Sequence, residues 1–147
     1  MCGISGSINV PSTSEIRIPE SMVYAMRHRG PDEVGHYRSS GIDLRHVRLA
    51  LVGLGNGRQP IGNETGLIHL VCNGEIYNYH ELRRELEVKG HSFRTDSDNE
   101  VIVHLYEEWG PDAFERLNGE FAFALWDHGC KRLTLCRDHF GVRPLHY

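Results

Sequence analysis

Residues 120–127 form a segment that is apolar on both of its faces. Large apolar side chains alternate with a second apolar set, namely Phe121, Phe123 and Leu125 against Ala122, Ala124 and Trp126. This pattern predicts a strand that is buried on both faces, so other layers of structure must cover it from two sides. Residues 132–136 are predicted to be its hairpin partner, because Asp127-His128-Gly129 has the residues expected of the turn between them.

Further strands and helices are predicted around this hairpin. Apolar and β-branched residues indicate three more strands, over residues 2–10, 45–52 and 67–72. Helical spacing of apolar residues indicates three helices, over residues 20–29, 78–90 and 97–110. Capping boxes are predicted at the starts of the last two helices, with the pairs Asn78 and Glu81, and Ser97 and Glu100. We therefore predict a single α+β domain with stacked sheets.

Size and charge exclude several classes of function. With 147 residues and a net charge of −4, the chain has the size of one domain and no basic surface for nucleic acid. No apolar run approaches the ~20 residues of a membrane span, and a secretory signal is absent, so we expect a cytoplasmic protein without a membrane partner. The four cysteines lack metal-ligand spacing and the ten histidines are scattered, so we predict no metal site.

The second residue is a candidate nucleophile. Removal of Met1 would leave Cys2 with both a thiol and a free α-amino group. An α-amine titrates near ~8, so at neutral pH part of it is unprotonated and accepts the thiol proton. The alternative is that Cys2 is only a small residue in a common position, and position alone does not decide between the two.

A second candidate site is the junction Asn73-Gly74-Glu75-Ile76-Tyr77-Asn78-Tyr79, between a predicted strand and a predicted helix. Attack of a thiolate on a carboxamide creates an oxyanion, which fixed N–H donors stabilise. The side-chain amide of Asn73 and the backbone N–H of Gly74 are candidates for these donors. A plain turn with a helix N-cap is the alternative, and the residues of this segment alone favour it.

Seven motifs in one order carry a resemblance to a known family. They are Met1-Cys2-Gly3-Ile4; His28-Arg29-Gly30-Pro31-Asp32; Arg48-Leu49 with Gln59-Pro60; the 73–79 junction; Ser97-Asp98-Asn99-Glu100-Val101-Ile102; Leu117-Asn118-Gly119-Glu120-Phe121-Ala122-Phe123; and Arg137-Asp138-His139-Phe140-Gly141-Val142-Arg143-Pro144-Leu145. Each motif is weak by itself. Together they resemble the glutaminase domain of class II glutamine amidotransferases of the asparagine-synthetase type, and the resemblance covers the whole chain.

The resemblance implies a fold and a domain. It implies an N-terminal-nucleophile hydrolase, a four-layer αββα sandwich of two antiparallel sheets flanked by helices. We expect the glutaminase domain to occupy residues 2–147 and to be incomplete at its C-terminal end, because members of the family continue through further strands. Arg137 and Asp138 are expected to form a buried pair that supports a sheet.

The resemblance also implies the roles of individual residues. Cys2 is expected to be the nucleophile, with its own α-amine as the base, and Asn73 with Gly74 the oxyanion hole. Arg48 is expected to hold the α-carboxylate of glutamine, and Asp98 its α-ammonium group. The remaining residues expected to line the substrate pocket are Leu49, Val52 and Glu75.

The implied reaction is hydrolysis of L-glutamine to glutamate and ammonia through a thioester on Cys2, without a cofactor. In the family, ammonia then passes to a C-terminal synthetase domain that uses ATP and magnesium to make asparagine from aspartate. Two alternatives stay open: a glutaminase domain serving a different acceptor, and a catalytically silent binding module with the same fold. The oligomeric state is also open, with a homodimer among the alternatives.

Overall fold

The first sheet contains three antiparallel strands from the N-terminal third of the chain. The computed structural model describes residues 1–8 and 18–147, and within them these strands are β1 (Gly3–Ile8), β2 (Glu33–Ser39) and β3 (Ile42–Arg48). Their spatial order is β1-β3-β2. The strand predicted over residues 2–10 is confirmed as far as Ile8, and its last two residues lie outside the described residues.

The second sheet contains four antiparallel strands in sequence order. They are β4 (Ile61–Gly62), β5 (Ile68–Ile76), β6 (Gly119–Asp127) and β7 (Arg132–Arg137). The hairpin of β6 and β7 pairs Asp127 with Arg132, which confirms the prediction made from the turn residues. The central strands β5 and β6 pair along their whole lengths, from Ile68 opposite Asp127 to Ile76 opposite Gly119.

The helices cover the outer faces of the two sheets. Helix α1 (Glu20–Met26) packs on β3, while α2 (Tyr79–Val88) and α3 (Glu100–Trp109) belong to the side of the second sheet, followed by a 3₁₀ helix at Pro111–Arg116. Gly110 ends α3 with a φ of 72°, a backbone conformation that glycine adopts without strain. None of the described helices combines the length and the apolar character needed to cross a membrane.

The two faces of β6 belong to two different cores. Phe121, Phe123 and Leu125 pack into the larger core beneath α2 and α3, whereas Ala124 and Trp126 pack between the sheets, against Leu44 and Val71. Val23 of α1 forms a third cluster with Val47 on the outer face of the first sheet. The order of layers is therefore helix, sheet, sheet and helices, which confirms the predicted αββα sandwich.

Side chains from outside the second sheet complete the edge of β5 at Cys72. The Gln59 side chain pairs with the Cys72 backbone like a strand, accepting from its N–H at 2.6 Å and donating to its carbonyl at 3.1 Å. From the first sheet, Nε2 of His46 also lies 3.1 Å from that carbonyl. These bonds fix the position of one sheet relative to the other.

The structure corrects four expectations about local structure. Strand β2 was not predicted, and β3 ends at Arg48, so that residues 49–52 form a loop instead of continuing a strand. Both predicted capping boxes are wrong, because neither helix start has a side-chain cap. The Asn78 amide instead bonds the backbone of Arg116 and Asn118. The Glu100 carboxylate instead accepts the backbone N–H groups of residues 94 and 95.

Asp98 and Asp138 also differ from the expectations. Asp98 precedes α3 rather than lying in its first turn. Asp138 is buried, but its carboxylate accepts backbone N–H groups from the chain around it, those of Phe121, Phe140, Val142 and Arg143, while Arg137 is exposed. The expected buried pair with Arg137 is therefore wrong: Asp138 organises the turn after β7 through backbone contacts.

Candidate active site

One pocket collects every residue predicted to act on the substrate. It lies where the N-terminus, the end of β3, the end of β5 and the segment before α3 meet. The predicted residues in its lining are Cys2, Arg48, Leu49, Val52, Asn73, Gly74, Glu75 and Asp98. These residues are up to 96 positions apart in sequence, so the antiparallel strands bring them together.

The sulfur of Cys2 is held beside the end of β3. The backbone N–H of Leu49 lies 3.4 Å from Sγ, and the thiol lies 3.6 Å from the Leu49 carbonyl. Nε of Arg29 donates to the Cys2 carbonyl at 3.0 Å, so the backbone of the residue is also fixed. Because β1 begins at Gly3, the strand holds the half-buried Cys2 rigidly at the pocket.

The motif His28-Arg29-Gly30-Pro31-Asp32 positions this region. A Cβ on Gly30 would lie 2.5 Å from the backbone of Val47, so only glycine permits the close approach of this turn to β3. The Asp32 carboxylate accepts the backbone N–H of Ala50 at 2.8 Å. Together with the Arg29 contact to Cys2, these bonds order the loop beside Cys2.

Met1 also lines the pocket. Its thioether contacts Nη1 of Arg143, another residue of the lining. The first residue therefore lies across the site that its neighbour Cys2 faces. Removal of Met1 would both free the α-amine of Cys2 and clear this part of the pocket.

The Arg48 guanidinium is buried at the end of β3, with only 4% of the residue exposed. Nη2 donates to the carbonyls of Val52 and Gly53 at 3.0 and 2.6 Å, and Nη1 donates to Glu33 at 3.0 Å. A guanidinium has five N–H donors, so Nε–H and one N–H of Nη1 are not used by these three bonds. Gly57 is required next to it, since a Cβ there would lie 2.7 Å from Nη2.

Asn73 and Gly74 lie on β5, opposite Ala122 and Phe121 of β6. A Cβ on Gly74 would lie 2.1 Å from the Glu120 carbonyl oxygen and 2.5 Å from Cα of Phe121. Glycine is therefore the residue that lets the two central strands pair closely here. The buried Asn73 brings an amide to the same part of the pocket.

Asp98 is a buried carboxylate that faces the pocket, with 3% of the residue exposed. One oxygen accepts the backbone N–H of Ile76 at 2.7 Å, and the other accepts Nδ2 of Asn99 at 3.3 Å. Burial raises the pKa of Asp98, while the hydrogen bond from Ile76 opposes that rise. The pocket therefore presents a guanidinium at one position and a carboxyl group at another.

Glu75 was expected to line the pocket, whereas several other lining residues were not assigned to the site from the sequence. Glu75 is opposite Glu120 in the pairing of β5 and β6, and Glu120 forms an ion pair with Arg143. Arg143 and Gln59 were quoted only as parts of motifs, and Ser97 and Asn99 only as parts of a helix start. Their presence in the lining depends on the fold, since nothing in their spacing distinguishes them from scaffold residues.

The comparison with protein families covers the whole chain. Residues 1–147 match the family described as glutamine amidotransferase domain. The probable asparagine synthetase (glutamine-hydrolyzing) of Dictyostelium discoideum is 46% identical, over 99% of this chain and 27% of that protein. Asparagine synthetase (glutamine-hydrolyzing) 2 of Bacillus subtilis is 43% identical, over 100% of this chain and 20% of that protein. The chain thus spans only about a quarter of these relatives.

A solved structure supports the same assignment. The glutamine phosphoribosylpyrophosphate amidotransferase of B. subtilis, in complex with ADP and GMP, is similar with a TM-score of 0.58 and 27% identity. The similarity covers 71% of this chain and 24% of that one. Two stacked antiparallel sheets flanked by helices, a pocket at the N-terminus and a match over all 147 residues agree with one another. The chain belongs to the glutamine amidotransferase domain family.

Proposed function

We propose that the chain is the glutaminase part of a glutamine-dependent amidotransferase, with Cys2 as its nucleophile. The observation that carries this proposal is the pocket itself. A sulfur at the start of β1 shares one pocket with a guanidinium, a carboxyl group and an amide next to a glycine. A free amino acid with a side-chain carboxamide is the ligand whose groups match that set.

The charged groups of the pocket suit the backbone of glutamine. The N–H donors of Arg48 that Glu33, Val52 and Gly53 leave unused would bind the α-carboxylate, and the positive charge of the buried guanidinium would add to this attraction. Asp98 would accept the α-ammonium group. Because a free amino acid has one charge of each sign on its α-carbon, two opposite anchors fix the direction of its side chain and present the carboxamide to Cys2.

The proposed chemistry proceeds through a thioester. The α-amine of Cys2 takes the thiol proton, and the sulfur attacks the carboxamide carbon. Asn73 and the N–H of Gly74 would stabilise the oxyanion. The protonated amine then gives its proton to the leaving nitrogen, and ammonia departs. A water molecule deprotonated by the same amine attacks the thioester, which releases glutamate and restores the thiol.

This half-reaction is proposed to need no cofactor. Each of its proton transfers is between the Cys2 amine and the substrate, the thiol or water. It does require loss of Met1, since an amide nitrogen at Cys2 has no basicity to accept a proton. The position of Met1 against Arg143 in the pocket supports the same requirement, because the retained residue would compete with the substrate for space.

We propose asparagine synthesis as the destination of the ammonia. The curated relatives that match the chain are named asparagine synthetases (glutamine-hydrolyzing), and they are several times longer than this chain. In the full protein, a C-terminal synthetase domain would use ATP and magnesium to convert aspartate to asparagine. Glutamine and that domain are thus the proposed partners, and cytoplasm is the proposed location.

Glutamate release from glutamine tests the glutaminase proposal directly. Cys2→Ala should lower the rate at least about 10³-fold, because the only nucleophile is removed. Cys130→Ala is the matched control: this cysteine lies exposed in the turn between β6 and β7, and its loss should change the rate less than twofold. Intact mass should show that the active protein lacks Met1. A Cys2→Ala protein as fast as its parent contradicts the covalent mechanism.

A further inference from the structure

A cluster of histidine and glutamate side chains lies outside the active-site pocket. His91 follows α2, whereas His104 and Glu107 lie on α3. One ligand-type atom from each of these three residues lies within 4.8 Å of the other two. None of the three lines the pocket around Cys2, so the cluster is a separate site.

His104 is the buried centre of this cluster, with 1% of the residue exposed. Neither of its ring nitrogens has a hydrogen-bond partner. Nδ1 lies 3.6 Å from Oε2 of Glu107 and 3.9 Å from Oε2 of Glu64, in the turn between β4 and β5. Its other nitrogen, Nε2, lies 3.7 Å from Oε1 of the buried Glu100. None of these three carboxylates is within hydrogen-bond distance of the buried imidazole, which is costly, so their arrangement around it needs a physical reason.

Each carboxylate has one oxygen bonded elsewhere and the other directed at the imidazoles. Oε1 of Glu107 accepts Nδ2 of Asn63 at 3.0 Å, which leaves Oε2 at 3.6 and 3.7 Å from Nδ1 of His104 and His91. Oε1 of Glu64 accepts the backbone N–H of Ser92 at 2.9 Å, which leaves Oε2 toward His104. The chain thus fixes both carboxylates before any ligand arrives.

The second imidazole is oriented in the same way. Nε2 of His91 lies 3.1 Å from Oε2 of Glu108, and the other oxygen of Glu108 accepts from Nζ of Lys89 at 2.9 Å. A proton on Nε2 leaves Nδ1 of His91 as a lone-pair donor facing Glu107. A carboxylate on the outer nitrogen of a histidine is the usual support of a metal ligand in proteins.

We propose that His91, His104, Glu107 and Glu64 bind one divalent transition-metal ion of the zinc type. Two neutral imidazoles and two carboxylates are a donor set that suits zinc, and two carboxylate charges neutralise the ion. Tetrahedral zinc with bonds of about 2.0–2.1 Å places its ligand atoms about 3.3 Å apart. Three of the separations are 3.6–3.9 Å, and the ligand-type atoms of His91, His104 and Glu107 all lie within 4.8 Å of one another, so these side chains must draw together on binding, and Glu64 must join them from beside His104.

The proposed ion has a structural role. It would join the turn between β4 and β5 to the end of α2 and to the middle of α3, three segments that are far apart in sequence. The segment just before α3 supplies Ser97, Asp98 and Asn99 to the active-site pocket. By fixing α3 on the second sheet, the ion would hold that segment in place without contacting the substrate.

Zinc titration of the chelator-treated chain, in competition with a chromophoric chelator, tests this proposal. We expect one equivalent to bind and the midpoint of thermal unfolding to rise with zinc concentration. His91→Ala and Glu107→Gln should each weaken binding at least tenfold and remove most of that rise. His80→Ala is the matched control, because His80 is exposed on α2 and outside the cluster; it should bind zinc as tightly as the parent.

A cysteine thiol can also bind zinc, so Cys2→Ala is titrated in parallel and should bind zinc as tightly as the parent. Glutamine has nearly the same size as glutamate, so Glu107→Gln leaves no cavity. Far-UV circular dichroism verifies that this variant is folded before its zinc affinity is compared with that of the parent. The proposal is wrong if no equivalent binds, if both cluster variants bind as tightly as His80→Ala, or if binding disappears with Cys2. None of these results depends on glutaminase activity.

Discussion

Asp98 combines a structural contact with a place in the lining of the pocket. Its hydrogen bond from the Ile76 N–H ties the segment before α3 to the end of β5. The same residue lines the pocket together with Cys2 and Arg48. Burial raises the pKa of Asp98 because it disfavours the charged carboxylate. A cationic partner in the pocket would stabilise that charge. The α-ammonium group of the proposed substrate would be such a partner.

Asp98→Asn should therefore weaken glutamine binding while the fold is retained. The amide oxygen of asparagine still accepts the Ile76 N–H, but the charge that would face the substrate ammonium is gone. We expect KM for glutamine to rise roughly 10- to 100-fold, the range of one charge-assisted hydrogen bond. Steady-state kinetics of glutamate release measures this. Asp96→Asn is the control at an exposed neighbour; equal KM values in the two variants would contradict the role of Asp98.

Without the family resemblance, the sequence would not have identified Arg48 or Asp98 as residues of the pocket. Arg48 has the spacing of a surface charge on a strand, and Asp98 that of a helix cap. Arg48 is buried because residues 52 and 53 turn back and accept its guanidinium, and no local pattern encodes that turn. Motif resemblance named both residues, while Gln59 and Arg143 became pocket residues only in three dimensions.

The pairing of β5 with β6 is the element on which the proposed oxyanion hole depends. Gly74 lies opposite Phe121, and β6 passes so close that its backbone occupies the space of a Cβ. The N–H of Gly74 and the amide of Asn73 therefore keep their positions only while this pairing is undisturbed. Gly74 therefore permits the close pairing of the strands and also supplies one of the proposed oxyanion-hole donors.

Gly74→Ala should force β5 and β6 apart. The added methyl group would lie 2.1 Å from the Glu120 carbonyl oxygen, so the strands must shift. We expect a loss of about 1–3 kcal/mol in the free energy of unfolding, together with a large fall in kcat for glutamate release. Urea denaturation and kinetics measure the two effects. Gly55→Ala, with open space around its Cβ, is the control; parental stability and kcat in Gly74→Ala would contradict the argument.

The elements differ in how clearly the sequence predicts them. Strand β6 is predicted because its alternation reflects two buried faces, each with its own core. Strand β2 was missed because none of its seven residues is fully buried and most are polar or glycine, so its pairing with β3 leaves little hydrophobic signal. The predicted caps failed for two reasons: Asn78 bonds to the backbone of residues 116 and 118, far along the chain, and Glu100 bonds to the backbone of residues 94 and 95, just before the helix. The spacing of a capping box does not distinguish these partners from a cap.

At the scale of the whole molecule, the sheets are joined by more than apolar packing. Leu44, Val71 and Trp126 fill the space between them, but the backbone of Cys72 also receives the His46 ring and the Gln59 amide. From the sequence, the scattered histidines were given no functional role. No pattern identified His46 as the residue that crosses between the sheets, because the contact arises only when the sheets stack.

The buried position of His46 makes the stability of the sandwich depend on pH. Burial lowers the pKa of His46 from 6.5 to about 4, although the hydrogen bond to the Cys72 carbonyl opposes this effect. Between these two pH values the unfolded chain binds a proton on His46 and the folded chain does not. Stability from this group is therefore complete above pH 6.5 and is lost as the pH falls toward 4, by about 3 kcal/mol in all.

His46→Gln should remove that dependence while an amide still donates to the Cys72 carbonyl. Urea denaturation at pH 7 and at pH 4.5 gives the change in unfolding free energy, and we expect the change to be smaller by about 2–3 kcal/mol in His46→Gln than in the parent. The exposed His80→Gln should retain the parental change. If the change in unfolding free energy between the two pH values is equal in the parent and in His46→Gln, the ring has the same pKa in the folded and unfolded states. That result would contradict the argument from the burial of His46.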